Sequence, residues 1–224
     1  MTENTTALDA AQLRGFALVA DTVARALAQP PSAEVVGEVH RVAEALGDDR
    51  FAAVAPGESL DQRFFNRFVV STSPYFLPLV EGSVREAYED DGRLRYGPLR
   101  SRHSDHVQAC YRSVGFDPSA AAWGAEGAVA QTLKPDALAC ELEFMASLAL
   151  VASGDAAAGA AEAPEADAEG RAAAAQRLLA RFAAEHARPW FGRAAEYAAR
   201  VDDDFYARLI ALAAESVDAL GEAA

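Results

Sequence analysis

The sequence contains very little lysine and cysteine, and it has fewer basic than acidic residues. Lys134 is the only lysine, and 20 basic against 34 acidic residues leave a formal net charge of −14. Nucleic acids and anionic membrane surfaces both select basic patches, so we expect neither as a partner. The two cysteines, Cys110 and Cys140, are too few for a disulfide framework and too far apart for a CxxC metal site.

Targeting and membrane-spanning segments are also missing. Residues 1–6 have neither the basic nor the apolar region of a signal peptide. No apolar run reaches the roughly 20 residues that cross a bilayer, and no Arg-Arg pair marks the chain as a twin-arginine export substrate. We therefore expect a cytoplasmic protein that does not insert stably into membranes.

Strict alternation of apolar and polar residues is absent, and the one run that favours a strand, residues 68–72, is too short to imply a sheet. Helical periodicity dominates instead. We expect Thr5 or Thr6 to cap the first helix and Pro189 to begin a new one late in the chain. A helix over residues 33–46 is predicted by apolar residues at i, i+4, i+7 and i+11, namely Val35, Val39, Val42 and Leu46.

The length of 224 residues suits one domain with a sizeable core. Residues 153–170 form a low-complexity run of small and acidic residues, which is typical of a flexible linker. The sequence predicts an all-α fold, a single-domain helical bundle of about eight to ten helices that spans residues 1–224.

The segment from Pro135 to Met145 organises the chain. It has the pattern of a helix with proline in the first turn, where a missing N–H has no consequence, and with Asp136 at the positive end of the helix dipole. On a helical wheel Glu141 falls within the apolar arc, whereas Glu143, Ser147 and Cys140 fall on or near the opposite side. A carboxylate on a buried face needs a partner, and we expect an Arg or a Tyr from another helix to provide it.

This segment, Pro-Asp-x-Leu-x-x-Glu-Leu-x-Phe-Met, resembles the signature of the TorD/DmsD/NarJ-like family of cytoplasmic chaperones for molybdenum enzymes. The position that is usually histidine in the family is Ala137 here. A proline-rich loop at residues 73–84 and a later Phe-x3-His-x3-Trp phrase support the resemblance by their order and spacing. The structural motif residues that it implies are Glu141, Phe144, Phe182, His186 and Trp190.

The resemblance implies a non-enzymatic chaperone without a cofactor. Its partners would be the twin-arginine leader peptide and the apo form of a molybdoenzyme catalytic subunit, which it would help to mature before export. The chaperone itself would be a monomer or a homodimer.

A twin-arginine leader carries an arginine pair followed by an apolar segment, so its receptor needs acids beside an apolar groove. The loop at residues 73–84 contains two prolines and two aromatic residues, and an acidic run follows it. Such a loop forms either an exposed apolar surface or a cover packed on the core. The predicted peptide-binding residues are Tyr75, Phe76, Leu77, Pro78, Glu81, Glu89, Asp90, Asp91, Pro135 and Asp136.

Two other interpretations remain open at this point. The first is a generic helical interaction module without leader specificity. The second is a metal-dependent hydrolase that uses His103 and His106, although the sequence has no third ligand at a zinc-protease spacing and no catalytic motif. We therefore predict no catalytic residues and no metal ligands.

Overall fold

The computed structural model describes residues 8–120, 133–155 and 168–222, and these ranges are predominantly helical, which confirms the all-α prediction. Residues 156–167 of the predicted linker lie outside the described residues, and its last three residues belong to a helix. The helices are α1 (Ala10–Ala28), α2 (Ala33–Leu46), α3 (Glu58–Phe64), α4 (Glu81–Arg85), α5 (Arg102–Ser113), α6 (Leu138–Ala152), α7 (Ala168–Phe182), α8 (Arg188–Val201) and α9 (Phe205–Glu222).

A small hairpin is the only sheet in the part of the chain that the structure describes. Strands β1 (Tyr88–Asp90) and β2 (Arg93–Arg95) pair antiparallel. Both turn residues, Asp91 and Gly92, have positive φ, as the tight two-residue hairpin turn requires. The run at residues 68–72 that favours a strand forms none, as its shortness led us to expect. Its first two residues belong to a π-helical turn at residues 65–69, and Phe68 packs against the ring of Tyr206.

Two predicted helix boundaries are wrong. Asp9, rather than Thr5 or Thr6, caps α1 through a reciprocal capping box with Gln12. Pro189 does not begin a separate helix, because α7 continues through a π-helical turn at Ala183–Ala187 directly into α8. The proline lies in the first turn of α8, directly after the π-helical turn.

Helix α6 lies at the centre of the fold and packs against α1 on one side and α7 on the other. Because it is covered on both sides, it is buried around most of its circumference. Cys140, which the helical wheel places on or near the side opposite the apolar arc, is therefore buried as well, with only 1% of the residue exposed, and Glu143 and Ser147 on that side are half-buried.

The start of α6 also differs from the prediction. Helix α6 begins at Leu138, so Pro135 and Asp136 precede it instead of forming its first turn. The extended backbone there bonds to a neighbouring segment: the Glu81 N–H donates to the Asp136 carbonyl at 2.9 Å, and the Leu138 N–H donates to the Leu79 carbonyl at 3.0 Å. These long-range bonds hold the loop before α4 alongside the entrance to α6.

Candidate functional site

An apolar cleft lies between the loop at residues 76–80 and the start of α6. Its volume is about 190 Å³, and Phe76, Leu77 and Pro78 contribute to its lining together with Ala137 and Leu138. Lys134 is the one charged residue among the described residues that line it. An apolar surface of this kind accepts an apolar peptide side chain or a short apolar segment.

The predicted loop residues are divided between the cleft and its surroundings. Leu77 is buried and donates its N–H to the Arg67 carbonyl at 2.9 Å, which fixes the loop on the core. Phe76 is half-exposed. Tyr75 is 42% exposed and turns away from the cleft into a polar pocket of about 280 Å³, which also contains Arg63 and Asp202. The loop is thus partly packed on the core and partly an apolar surface.

A second hollow begins on the far side of Phe76. It has a volume of about 530 Å³ and contains Tyr197 and Arg200 of α8 together with Arg95 of β2, and Phe76 lines both this hollow and the apolar cleft. The two cavities are therefore neighbours, and one aromatic ring marks the boundary between them.

The hairpin acids stand beside this second hollow in exposed ion pairs. Glu89 lies 2.7 Å from Arg200, and Asp90 lies 3.5 Å from Arg95. Asp91 occupies the hairpin turn and is exposed. These acids are thus on the surface, where a cationic partner can reach them.

Three acids that the sequence analysis singled out are instead completely buried beside the cleft: Glu81, Asp136 and Glu141 each have 0% exposure. Glu81 has the most partners. Its carboxylate accepts hydrogen bonds from Arg85 at 2.6 Å and from Nδ1 of His186 at 2.8 Å. His103 Nδ1 lies 3.4 Å from the same carboxylate.

Glu141 has a partner from another helix, but it is a tryptophan rather than the expected Arg or Tyr. The indole N–H of Trp190 donates to Oε2 of Glu141 at 3.1 Å, and Oε1 has no hydrogen-bond partner. Burial raises the pKa of Glu141 well above its usual range, and the nearby Glu81 carboxylate raises it further.

Asp136 lies directly before the cleft residue Ala137, yet its side chain is buried. Burial raises the pKa of Asp136, while the Ser104 hydroxyl and the Gly82 N–H act in the opposite direction. Neither donor reaches hydrogen-bond geometry, so both carboxylate oxygens are without a hydrogen-bond partner. A buried carboxylate in this state is costly and favours its protonated form.

The remaining motif residues form the support of this region. Phe144 of α6 and Phe182 of α7 contact each other with ring centroids 4.8 Å apart, and Phe182 contacts the His186 ring at the same distance. Trp190 is completely buried. These contacts fix the π-helical turn that carries His186, so the motif residues position the acids instead of lining the cleft.

The histidines are arranged differently from the HxxH pattern in the sequence. His106 Nδ1 lies 2.7 Å from Nε2 of His186, whereas His103 faces Glu81. Cys110, which sequence reasoning did not single out as functional, places its sulfur within 4.8 Å of donor atoms from His106 and His186. The i, i+4 spacing of His106 and Cys110 on α5 is the only sequence signal that could have indicated this cluster.

A comparison with protein families matches residues 31–196 to the family described as the nitrate reductase delta subunit. The matched range contains the cleft loop, the hairpin, the buried acids and the histidine cluster. No curated protein and no solved structure matches the chain significantly. Within the described residues, no helix has the length and apolarity needed to span a membrane.

Proposed function

We propose that this chain, which belongs to the nitrate reductase delta subunit family, binds the twin-arginine leader of a molybdenum enzyme and holds it until the enzyme is ready for export. The family consists of maturation chaperones that work with molybdoenzyme subunits. Beyond this family role, we propose that the chain recognises a leader peptide in the cytoplasm before export.

The observation that carries the proposal is the adjacency of an apolar cleft and an acidic hairpin. Phe76 lines the cleft on one side and the second hollow on the other, and the hairpin acids Glu89 and Asp90 stand beside that hollow. A leader has the same order of chemistry, with an arginine pair followed by an apolar segment. Its apolar segment would occupy the cleft while its arginines reach the hairpin.

The ion pairs of the hairpin are weak enough for a leader arginine to replace the resident arginine. Glu89 and Asp90 pair with Arg200 and Arg95, and all four side chains are about half-exposed. Such exposed pairs contribute only about 0–1 kcal/mol each, so replacing a resident arginine by a leader arginine costs little. Lys134 lines the cleft, and its positive charge disfavours an arginine there, which favours binding of the arginines at the hairpin.

Asp136 and Glu81 enter this proposal differently from the hairpin acids. Both are completely buried, and Glu81 is already bonded to Arg85 and His186. Because the Asp136 side chain is completely buried, a leader arginine could reach it only after a local rearrangement. Asp136 is not among the residues that line the cleft, and the hairpin acids provide the exposed negative charge.

The test is calorimetric titration with a leader that contains Arg-Arg and with a control leader in which both arginines are alanine. We expect the wild type to prefer the Arg-Arg leader at low salt. Exposed ion pairs contribute about 0–1 kcal/mol each, so the double variant Glu89→Gln/Asp90→Asn, which removes two of them, should lose up to about tenfold of that affinity. Binding of the alanine leader should be unaffected.

Two controls separate charge from packing. The double variant Glu44→Gln/Asp218→Asn removes the same net charge from exposed sites on α2 and α9 and should bind normally. Phe76→Ala should weaken both leaders, since it alters the cleft. If the wild type binds both leaders equally, the twin-arginine part of the proposed function is wrong. If it binds neither leader, a generic interaction module is favoured. If the wild type prefers the Arg-Arg leader but the hairpin variant binds it normally, leader binding stands and only the assignment of the arginines to the hairpin acids is wrong.

A further inference from the structure

Three potential metal ligands from two distant parts of the chain meet beside the buried acids. His106, Cys110 and His186 each place a donor atom within 4.8 Å of the other two. His106 and Cys110 are one turn apart on α5, and His186 lies in the π-helical turn between α7 and α8. His106 and His186 are 80 residues apart in the chain, so only the tertiary structure creates this set.

The hydrogen bonds of His186 prepare it for this role. Its Nδ1 donates to Oε2 of the buried Glu81 at 2.8 Å, so Nε2 carries the lone pair and accepts a hydrogen bond from Nδ1 of His106 at 2.7 Å, a bond that a metal ion would replace. Histidines that bind metals in proteins usually donate the other ring N–H to a carboxylate in this way, because the bond fixes the tautomer and makes the ligand more basic. Arg85 holds Glu81 in turn at 2.6 Å.

The cluster is open on one side. His106 is exposed, whereas Cys110 and His186 are buried. Two nitrogens bound to a tetrahedral zinc ion are about 3.3 Å apart. The present separation is 2.7 Å, about 0.6 Å shorter, so the exposed His106 ring must move outward and turn to admit the ion.

We propose that His106, Cys110 and His186 form a site for a zinc ion, with Glu81 positioning His186 and the fourth ligand position open to solvent. Two imidazoles and one thiolate suit zinc, whereas magnesium and calcium prefer oxygen ligands. The bound ion links α5 to the junction of α7 and α8. This site is independent of the leader-binding proposal, and none of its three ligands lines the cleft.

The test is titration of the untagged, reduced, chelator-treated chain with cobalt(II), followed by displacement with zinc. We expect one equivalent to bind, with thiolate-to-cobalt charge-transfer absorption and the intense visible bands of a tetrahedral site. Cys110→Ala should abolish the charge-transfer absorption. Cys140→Ala is the matched control, because Cys140 is also buried but lies outside the cluster, and it should retain the full spectrum.

The histidine variants complete the test. His106→Gln changes an exposed side chain and should leave the helical circular dichroism unchanged while weakening cobalt binding at least tenfold; His40→Gln, on α2, should bind normally. Glu81→Gln should weaken binding about 10–100-fold, the usual effect of losing a carboxylate behind a histidine ligand. The proposal is overturned if the wild type binds no stoichiometric cobalt, if the charge-transfer absorption survives Cys110→Ala, or if His106→Gln binds like the wild type.

Discussion

Replacing Glu141 by glutamine isolates the effect of burying an ionisable group at the centre of the fold. The amide retains an oxygen that can accept the Trp190 N–H bond, which is 3.1 Å long in the wild type. The substitution also removes the negative charge of Glu141. That charge lies near the Glu81 carboxylate, because each residue places a carboxylate oxygen within 4.8 Å of the other. We therefore expect Glu141→Gln to be at least as stable as the wild type at pH 7 and above.

The sign of the pH dependence follows from the raised pKa of Glu141 in the folded protein. A group of this kind stabilises the fold fully below its unfolded pKa of about 4.5, and this stability is lost as the pH rises through the folded pKa. Within that window one extra bound proton changes the free energy of unfolding by about 1.4 kcal/mol per pH unit. The wild type should lose stability relative to Glu141→Gln as the pH rises.

Glu141→Ala should behave in the opposite way. It leaves the buried Trp190 N–H without an acceptor, which costs about 1–3 kcal/mol, and the vacated space adds a cavity cost. Because the partner of Glu141 is a neutral indole, the larger cost of breaking a buried ion pair does not apply here.

The assay is urea unfolding of the wild type, Glu141→Gln and Glu141→Ala between pH 5 and pH 8. Glu196→Gln, an exposed change on α8, is the control and should follow the wild type at every pH. Parallel curves for the wild type and Glu141→Gln would refute the reasoning, because they would mean that Glu141 has the same pKa in the folded and unfolded states. Equal stability of Glu141→Ala and the wild type would show that the Trp190 bond contributes nothing.

Three other substitutions have defined outcomes in the same unfolding assay. Trp190→Ala should reduce the free energy of unfolding by about 3–5 kcal/mol, because the indole is completely buried; a smaller loss would mean that the site collapses. Arg67→Ala should cost about 3–5 kcal/mol, because it leaves the buried Asp204 carboxylate without its guanidinium at 3.0 Å; an unchanged midpoint would show that this pair is not needed. Asp136→Asn should leave stability unchanged or increase it at pH 8, since burial raises the pKa of Asp136, and a clear loss would indicate a partner for the carboxylate. The same variant also tests binding: weaker binding of the Arg-Arg leader by a folded Asp136→Asn would show that the cleft opens to expose this acid.

Local chemistry in the sequence determined the helical character of the chain and several of its boundaries. The predicted α2 coincides with Ala33–Leu46, because Ser32 caps one end and Gly47 takes a positive φ at the other. The burial of Glu141 was predicted from its place in the apolar arc, although α6 is buried around most of its circumference. The match to the nitrate reductase delta subunit family agrees with the resemblance that the segment from Pro135 to Met145 indicated.

Only the tertiary structure decided where the acids lie and what they contact. In sequence, Asp136 and Glu89 are equally plausible receptors for a cation, but long-range backbone bonds to Leu79 and Glu81 hold the segment around Asp136 in the interior, while Glu89 extends into solvent on the hairpin. Residue spacing carries no information about such bonds.

The histidine cluster shows the same limit most clearly. The pattern of the sequence relates His106 to His103, three residues away on the same helix, but the fold brings His106 against His186 from the other end of the chain. Which groups share a site depends on how α5 packs beside the junction of α7 and α8, and that packing results from the burial of many apolar side chains together. Helices and buried faces were predictable because they depend on neighbouring residues, whereas the site depends on contacts between residues that are distant in sequence.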